Sequence, residues 1–271
     1  MDIQLIAMDM DGTLLNPAQE VSPRNAAALR MARDQGIHLA ICSGRSPGDI
    51  GLFALENGLE DCALLALNGL YCQRSANAKP FSQHVLDNET LRKTMRIIRE
   101  EKQPFACYAQ NKLVIFPQNG EDAKTFFTVH DNHPDGPQIL YGEEGFARLT
   151  EGVNKIINFA PDQESWERTR RRLMELPKLE VSTSWPLDFE LMPKEFGKGS
   201  AVSELAAQLG LTADQVMTIG DYDNDESMIR WAGFGVAMAN ATDCIKNAAQ
   251  FITLSNAEDG VAHAIEKYAL N

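Results

Sequence analysis

Basic residues are scarce in this 271-residue chain: 25 Lys and Arg stand against 38 Asp and Glu, a formal charge of −13. That balance repels nucleic acid and anionic lipid, so neither is an expected partner. No apolar stretch approaches the ~18 residues of a membrane span. Cysteines at 42, 62, 72, 107 and 244 form an odd set without a C-x-x-C pair, which fits free thiols in a reducing compartment better than a disulfide framework. The opening MDIQLIAMDMDG puts acids where a secretory signal needs basic residues and a longer apolar run. Internal repeats and low-complexity tracts are absent as well. The expectation is a soluble cytoplasmic protein, and the 44% hydrophobic content supplies a sizeable core.

The chain begins with an apolar run over residues 3–8 that ends in acids and glycine, followed by an alanine-rich stretch opened by Ser22-Pro23 and closed by Gly36. This reads as a strand and a capped helix. A second buried strand, Ile37 to Cys42, leads through Ser43-Gly44-Arg45 to a Ser46-Pro47 helix start. The same rhythm returns in the last third, with helices near 199–209 and 224–232, a strand Val216 to Ile219, strands GVAM and FITL, and a last helix over about 260–269. From about 83 to 190 the texture changes to aromatics, amides and prolines, with a basic helix ERTRRRLMEL and the turns PQNG and DNHPDG. The pattern predicts a doubly wound, parallel-sheet α/β core at 1–82 and 191–271, carrying an inserted α+β domain at 83–190.

Asp9-Met10-Asp11-Gly12-Thr13 follows the first strand. Residues two apart on an extended chain project to one side, so Asp9 and Asp11 can converge where open α/β sheets form their ligand crevice. Taken alone, the pair reads equally as a solvated turn. Gly220-Asp221-Tyr222-Asp223-Asn224-Asp225 follows another apolar strand and opens a helix, which places a second acidic cluster on the same rim. Helix capping explains part of that cluster, but so many acids repel unless a cation sits among them. Oxygen donors without His or Cys favour Mg²⁺ over zinc. Ser43-Gly44 offers a hydroxyl and bare N–H groups to a phosphoryl oxygen, and Gly197-Lys198-Gly199 brings an ammonium to a helix start, although each is weak alone.

The four pieces together, DMDGT at 9–13, SGR at 43–45, GKG at 197–199 and GDYDND at 220–225, resemble the haloacid-dehalogenase superfamily of phosphohydrolases, and within it the Cof-type sugar phosphatases. GVAMANA at 235–241 and SNAEDGVAHAIEKY near the C-terminus extend the resemblance over nearly all of the α/β portion. It implies a Rossmann-like core and a Mg²⁺-dependent phosphatase acting on small phosphorylated metabolites, sugar phosphates first; whether as monomer or homodimer the sequence leaves open. Asp9 is implied as nucleophile, with Asp9, the backbone carbonyl of Asp11 and Asp221 on the metal. Asp11's side chain is implied as acid/base. Met10 through its backbone N–H, Ser43, Gly44, Lys198 and Asn224 are implied on the phosphate, with Asp225 supporting the metal shell or Lys198. Only 33 residues separate Asp9 from Ser43, too few for a lid, so the large insertion falls after Ser43 as in Cof-type enzymes. That insertion is expected to close over the site and choose the leaving group.

Phosphoryl transfer to another acceptor and a non-hydrolytic phosphometabolite-binding role are the alternatives. Several features carry less. His130 and His133 around Asp131 form H-x-x-H in a polar turn; Arg168, Arg170, Arg171 and Arg172 read as a solvated face or an anion attractor; Asn68-Gly69 is a turn signal near the cavity. Tyr108, Phe126, Trp185 and Glu190 are conceivable rim residues of the insertion, and Cys42 reads as a small buried apolar residue. Arg45 either guides the leaving group or anchors its loop.

Overall fold

The computed structural model describes residues 2–117, 138–183 and 186–270, divided into two compact units. The first unit takes Met1–Arg45, Phe53–Phe81 and Gly197–Asn271, and the second takes Ser46–Leu52 and Ser82–Phe196. His130, Asp131, His133, Phe126, Trp185 and the DNHPDG turn lie outside the described residues.

In the first unit, β1 (Leu5–Asp9) pairs in parallel with β2 (His38–Cys42) on one side and β12 (Val216–Gly220) on the other. The sheet continues through β3 (Ala63–Ala66), β4 (Tyr71–Gln73) and β5 (Pro80–Gln83) beyond β2, and through β13 (Phe234–Ala237) and β14 (Phe251–Ile252) beyond β12. Every residue of β1 is buried, as a strand covered on both faces requires, and this is why it reads as an unbroken apolar run. The chain winds outward from β1 in one direction early and in the other late, so the strand order reverses between β1 and β12. Open α/β sheets form their ligand crevice at such a reversal, beyond the carboxyl ends of the strands.

Helix α1 (Pro23–Asp34) starts where the Ser22 hydroxyl accepts the Asn25 N–H at 3.1 Å, with proline in the first turn, and stops before Gly36 at φ 82°. It packs on α9 (Gly260–Tyr268), while α6 (Lys198–Leu209) packs on α7 (Glu226–Trp231), and α8 (Asp243–Ala248) lies beside α7. Helix α2 (Pro47–Glu56) begins in the short 46–52 segment that groups with the second unit.

The second unit is a six-stranded sheet in the order β10-β11-β9-β6-β7-β8, comprising β6 (Phe105–Ala109), β7 (Lys112–Phe116), β8 (Gln138–Tyr141), β9 (Lys155–Phe159), β10 (Leu179–Ser182) and β11 (Asp188–Pro193). Strand β11 runs on past residue 190 and stays paired with β10 as far as Pro193. All pairs are antiparallel except β7 with β8. Alternate residues face opposite ways, so one face packs Phe105, Cys107, Ile156 and Phe189 against Leu91, Met95 and Ile98 of α3 (Asn88–Glu100) and Leu173 of α5 (Gln163–Met174). The short α4 (Gly142–Phe146) closes the same core through Phe146. The opposite face carries Ala106, Leu113 and Ile115, with Tyr108 and Ile157 packed beside them.

The arginine run ties helices together. Arg168 and Arg172 of α5 hold Glu101, at the end of α3, at 2.8 and 2.7 Å, and the Arg170 guanidinium lies 5.6 Å above the Trp166 ring. No helix among the described residues is long and apolar enough to cross a membrane.

Candidate active site

At the carboxyl end of β1, Asp9 is opposite Cys42 in the register with β2, and Ser43 follows at once. Burial raises the Cys42 thiol well above its usual range and keeps it neutral, in line with its reading as a small apolar residue. Asp221 follows β12 directly. Asp9, Asp221 and Asp225 each offer a carboxylate oxygen within 4.8 Å of the others. Lys198, at the first position of α6, reaches Asp9 Oδ1 and Asp225 Oδ1 at 2.5 Å each. Lys198 is 1% exposed, Asp9 6% and Asp225 0%.

Burial raises the Asp9 carboxyl well above the ordinary carboxylate range; Lys198 pulls it back, and Asp225 and Asp221 push it further up. Burial likewise lifts Asp221 to about 6, with the Thr13 hydroxyl opposing and Asp225 adding to the rise. Burial by itself would lower the Lys198 ammonium, but Asp225 and Asp9 outweigh it and raise the ammonium's pKa, so it stays charged. With all three ionised, the carboxylates around one ammonium leave two negative charges uncompensated, in a site where Asp9 and Asp225 are buried and Asp221 half-buried. Like charges ~4 Å apart repel by roughly 4 kcal/mol at an effective dielectric near 20, a cost that a divalent cation would remove.

The three acids are not equivalent. Asp225 already spends Oδ1 on Lys198, and its Oδ2 accepts the N–H groups of Asp221 and Tyr222 at 2.9 and 3.2 Å. It therefore braces Lys198 and the Asp221 backbone. Asp223 of the same motif is exposed and takes the Thr242 hydroxyl at 2.8 Å, so it stands apart from the cluster. Asp221 and Asp9 keep oxygens for a cation, and Gly12 makes room for them: its φ is 82°, and a Cβ there would lie 2.4 Å from Asp221 Oδ2. Thr13 donates its hydroxyl to Asp221 Oδ1 at 2.7 Å. An all-oxygen donor set of this charge suits a hard divalent cation.

Asp11 turns its carboxylate to Arg45, whose Nε and Nη2 reach it at 2.9 and 2.5 Å. Arg45 also donates to Gln19 at 3.2 Å, so in this structure it anchors both its own loop and Asp11. The Ser43 hydroxyl accepts the Arg45 N–H at 3.2 Å. Gly44 sits between these two anchored residues, and Met10, 1% exposed, fixes the turn through its carbonyl, which accepts Leu15 N–H at 2.9 Å.

Asn224 donates its amide to Asn68 Oδ1 at 3.3 Å, while Asn68 N–H bonds the Ser43 carbonyl and Leu67 N–H the Arg45 carbonyl, both at 2.9 Å. Leu67, Asn68 and Gly69 have φ of 52°, 59° and 87°, a run in the left-handed region. Each non-glycine there costs on the order of 1–3 kcal/mol, a strain that surrounding bonds must hold in place. Gly69 is required, because a Cβ there would lie 2.6 Å from the Ala201 Cβ.

All nine residues singled out in the sequence lie in the first unit. Asp9, Asp221, Asp225 and Lys198 meet directly; Ser43 and Asn224 are joined through Asn68; the Asp11 carboxylate is turned aside to Arg45. The sequence did not single out the hydroxyl of Thr13, and it placed Asn68 near the cavity without its bridging contact to Asn224. Thr13 could have been found as the one hydroxyl in the DMDGT turn, whereas NG signals only a hairpin. In the second unit, Glu190 is buried and paired with Lys155 at 3.1 Å, and Tyr108 lies against the Lys155 ammonium, 5.3 Å from the ring centre.

One expectation follows from the raised Asp221. Its carboxyl holds a proton in the folded protein up to about pH 6, whereas its ordinary value is 3.8. Between those values the folded state binds more protons, so metal-free protein loses the corresponding stability as pH rises from about 4 to 6. Chemical denaturation of metal-free wild type and Asp221→Asn should show the variant gaining relative stability across that window. A constant difference from pH 4 to 7 would refute the assignment.

A family model for haloacid dehalogenase-like hydrolases matches residues 6–265. YxeH of Bacillus subtilis (strain 168) is 33% identical over 281 residues, covering 98% of both chains. The 5-amino-6-(5-phospho-D-ribitylamino)uracil phosphatase YcsE of the same organism is 31% identical over 274 residues, covering 99% of this chain and 97% of YcsE. The HAD subclass IIB sugar phosphatase BT4131 shares the fold, with a TM-score of 0.83 at 22% identity over 99% of this chain and 100% of its own. The chain belongs to the haloacid dehalogenase-like hydrolases, with phosphatases among its relatives.

Proposed function

We propose that this chain is a Mg²⁺-dependent phosphatase that hydrolyses phosphate monoesters of small metabolites, sugar phosphates first, through an aspartyl-phosphate on Asp9. The observation that carries the reading is the cluster of Asp9, Asp221 and Asp225, two of them buried against Lys198, with Asp11 two residues beyond Asp9. Asp9, Asp221 and the Asp11 carbonyl would hold Mg²⁺, which when bound supplies charge neutralisation for the phosphate oxygens.

Lys198 holds Asp9 through Oδ1 and so sets the direction of the carboxylate that attacks phosphorus. As that bond forms, the ester P–O bond breaks and a protonated Asp11 gives its proton to the leaving oxygen. Donation requires the Asp11 carboxyl to leave the Arg45 guanidinium, which faces both of its oxygens in this structure. Asp11 then takes a proton from the water that cleaves the acyl-phosphate. Ser43, Gly44, the Met10 N–H, Lys198 and Asn224 are assigned to the phosphate oxygens, and Asn68 sets which way the Asn224 amide points.

The second unit is assigned the choice of leaving group. YcsE supports a polyhydroxylated leaving group, because its name specifies a phosphoribityl compound. The test is phosphate release from a panel of sugar phosphates, polyol phosphates and an aryl phosphate, with Mg²⁺ or with chelator. Metal-dependent release with sugar or polyol esters ahead is expected; no release from any ester would sink the proposal.

A further inference from the structure

The turn that carries Asp11 is held from outside by side-chain amides drawn from distant parts of the chain. Asn240 donates Nδ2–H to the Gly12 carbonyl at 2.9 Å, Asn25 to the Leu14 carbonyl at 3.3 Å, and Asn256 to the Leu15 carbonyl at 2.8 Å. Two of these amides are themselves fixed against reversal. The Asn240 carbonyl oxygen accepts the Asn256 N–H at 2.9 Å, and that of Asn25 accepts the Ala262 N–H at 2.9 Å. Asn240 follows β13 and Asn256 follows β14, so the strands of the late half reach over to the first loop of the early half.

The turn needs such a hold for a stated reason. Residue 12 must be glycine, because Asp221 occupies the space of a Cβ, and glycine leaves the backbone its widest freedom. Rotation at Gly12 would swing the adjoining Asp11 carbonyl and displace Thr13, which fixes Asp221. Asn240 binds the carbonyl of that same glycine and removes the freedom that glycine introduces.

We propose that Asn240 and Asn256 are positioning residues for the reaction: as a linked pair they lock the Asp11–Thr13 turn in the conformation in which its carbonyl, its carboxylate and Asp221 are set for cation and substrate. This rests on the phosphatase reading above for its consequence and on the hydrogen bonds alone for its mechanics. Asn240 is exposed and Asn256 half-buried, so neither is a core residue whose loss would unfold the chain.

Asn240→Asp tests the lock with little change of size. It keeps the oxygen that accepts the Asn256 N–H and replaces the donor facing the Gly12 carbonyl with a second acceptor. Hydrogen exchange of metal-free protein should show the amides of residues 11–15 exchanging about 10-fold faster or more in Asn240→Asp and Asn240→Ala, at an unchanged melting temperature. Mn²⁺ binding followed by its paramagnetic resonance should weaken roughly 10- to 100-fold, the loss expected when an outer partner of a metal site is removed. With a working ester substrate, kcat should fall by a similar factor while KM stays within about twofold. A structural role alone would lower the melting temperature and leave Mn²⁺ affinity and kcat untouched. Unchanged exchange, or Mn²⁺ affinity and kcat within twofold of wild type, overturns the proposal. Wild type that binds no Mn²⁺ while the exchange difference persists would refute the phosphatase reading and leave the lock standing.

Discussion

Asp9→Asn is expected to abolish phosphate release, a fall on the order of 10⁴-fold or more in kcat, as when a nucleophile is removed from a covalent mechanism. The amide is nearly the same size and can still accept from Lys198, so the site should keep its shape. It also relieves the crowding of acidic groups around Lys198, and the metal-free variant should melt no lower than wild type. Asp11→Ala should behave differently, although it sits only two residues away. With a sugar phosphate, whose alkoxide needs a proton on departure, loss of the acid should cost roughly 10²- to 10⁴-fold. With an aryl phosphate, whose leaving group departs unaided, the first step should recover while the second, which needs a base, does not. A burst of phenol followed by slow turnover is the expected record in stopped-flow absorbance. Equal losses for both variants on both esters would show that the two acids do not divide the work in this way.

Lys198→Met should be the most destructive single change to stability in the site. Lys198 is the ammonium that neutralises Asp9 and Asp225 directly, and neither acid can turn to solvent. Stranding a buried charge by deleting its partner costs about 3–5 kcal/mol, on the order of 10 °C in melting temperature for a chain of this size. The sign of its pH dependence follows from the same charges. Protonation relieves the stranded acids, so the deficit should be smaller at pH 5 than at pH 8. Adding Asp225→Asn to Lys198→Met should return much of the stability and none of the activity, because the phosphate then still lacks its ammonium. Differential scanning calorimetry of the four proteins in the cycle measures the coupling; an additive double variant would show that the two groups do not share their charge.

What the sequence disclosed was the part that repeats or concentrates. The apolar stretches 5–8 and 39–42 are unbroken because β1 and β2 are interior strands, and the acids immediately after the first of them point to the crevice. Lys198 was visible because glycines bracket it. Asp225 was legible only as a member of an acidic group; that it braces Lys198 depends on a turn in which Asp223 points outward while Asp225 points inward. Asn68 showed only as part of a turn near the cavity, and Asn240 and Asn256 left no pattern, since an amide that binds a single distant carbonyl has neither periodicity nor neighbours of its own kind. The grouping of residues 46–52 with the second unit was equally hidden, because it divides α2 in mid-helix, where the sequence has no break.

The place of β1 between β2 and β12 also sets the order in which the molecule can be made. During synthesis β2 emerges soon after β1, but the partner on the other side begins only at Val216, after the whole of the second unit has been translated. Until then β1 presents an unpaired apolar edge, the kind of surface that recruits other nascent chains. The segment from 82 to 196 is continuous in the chain and has its own core, so it can fold while the first unit waits. The residues that make the site useful are therefore the last to be joined. A ribosome-bound fragment ending before residue 216 should carry a folded second unit beside an unfinished sheet that depends on chaperones for its solubility.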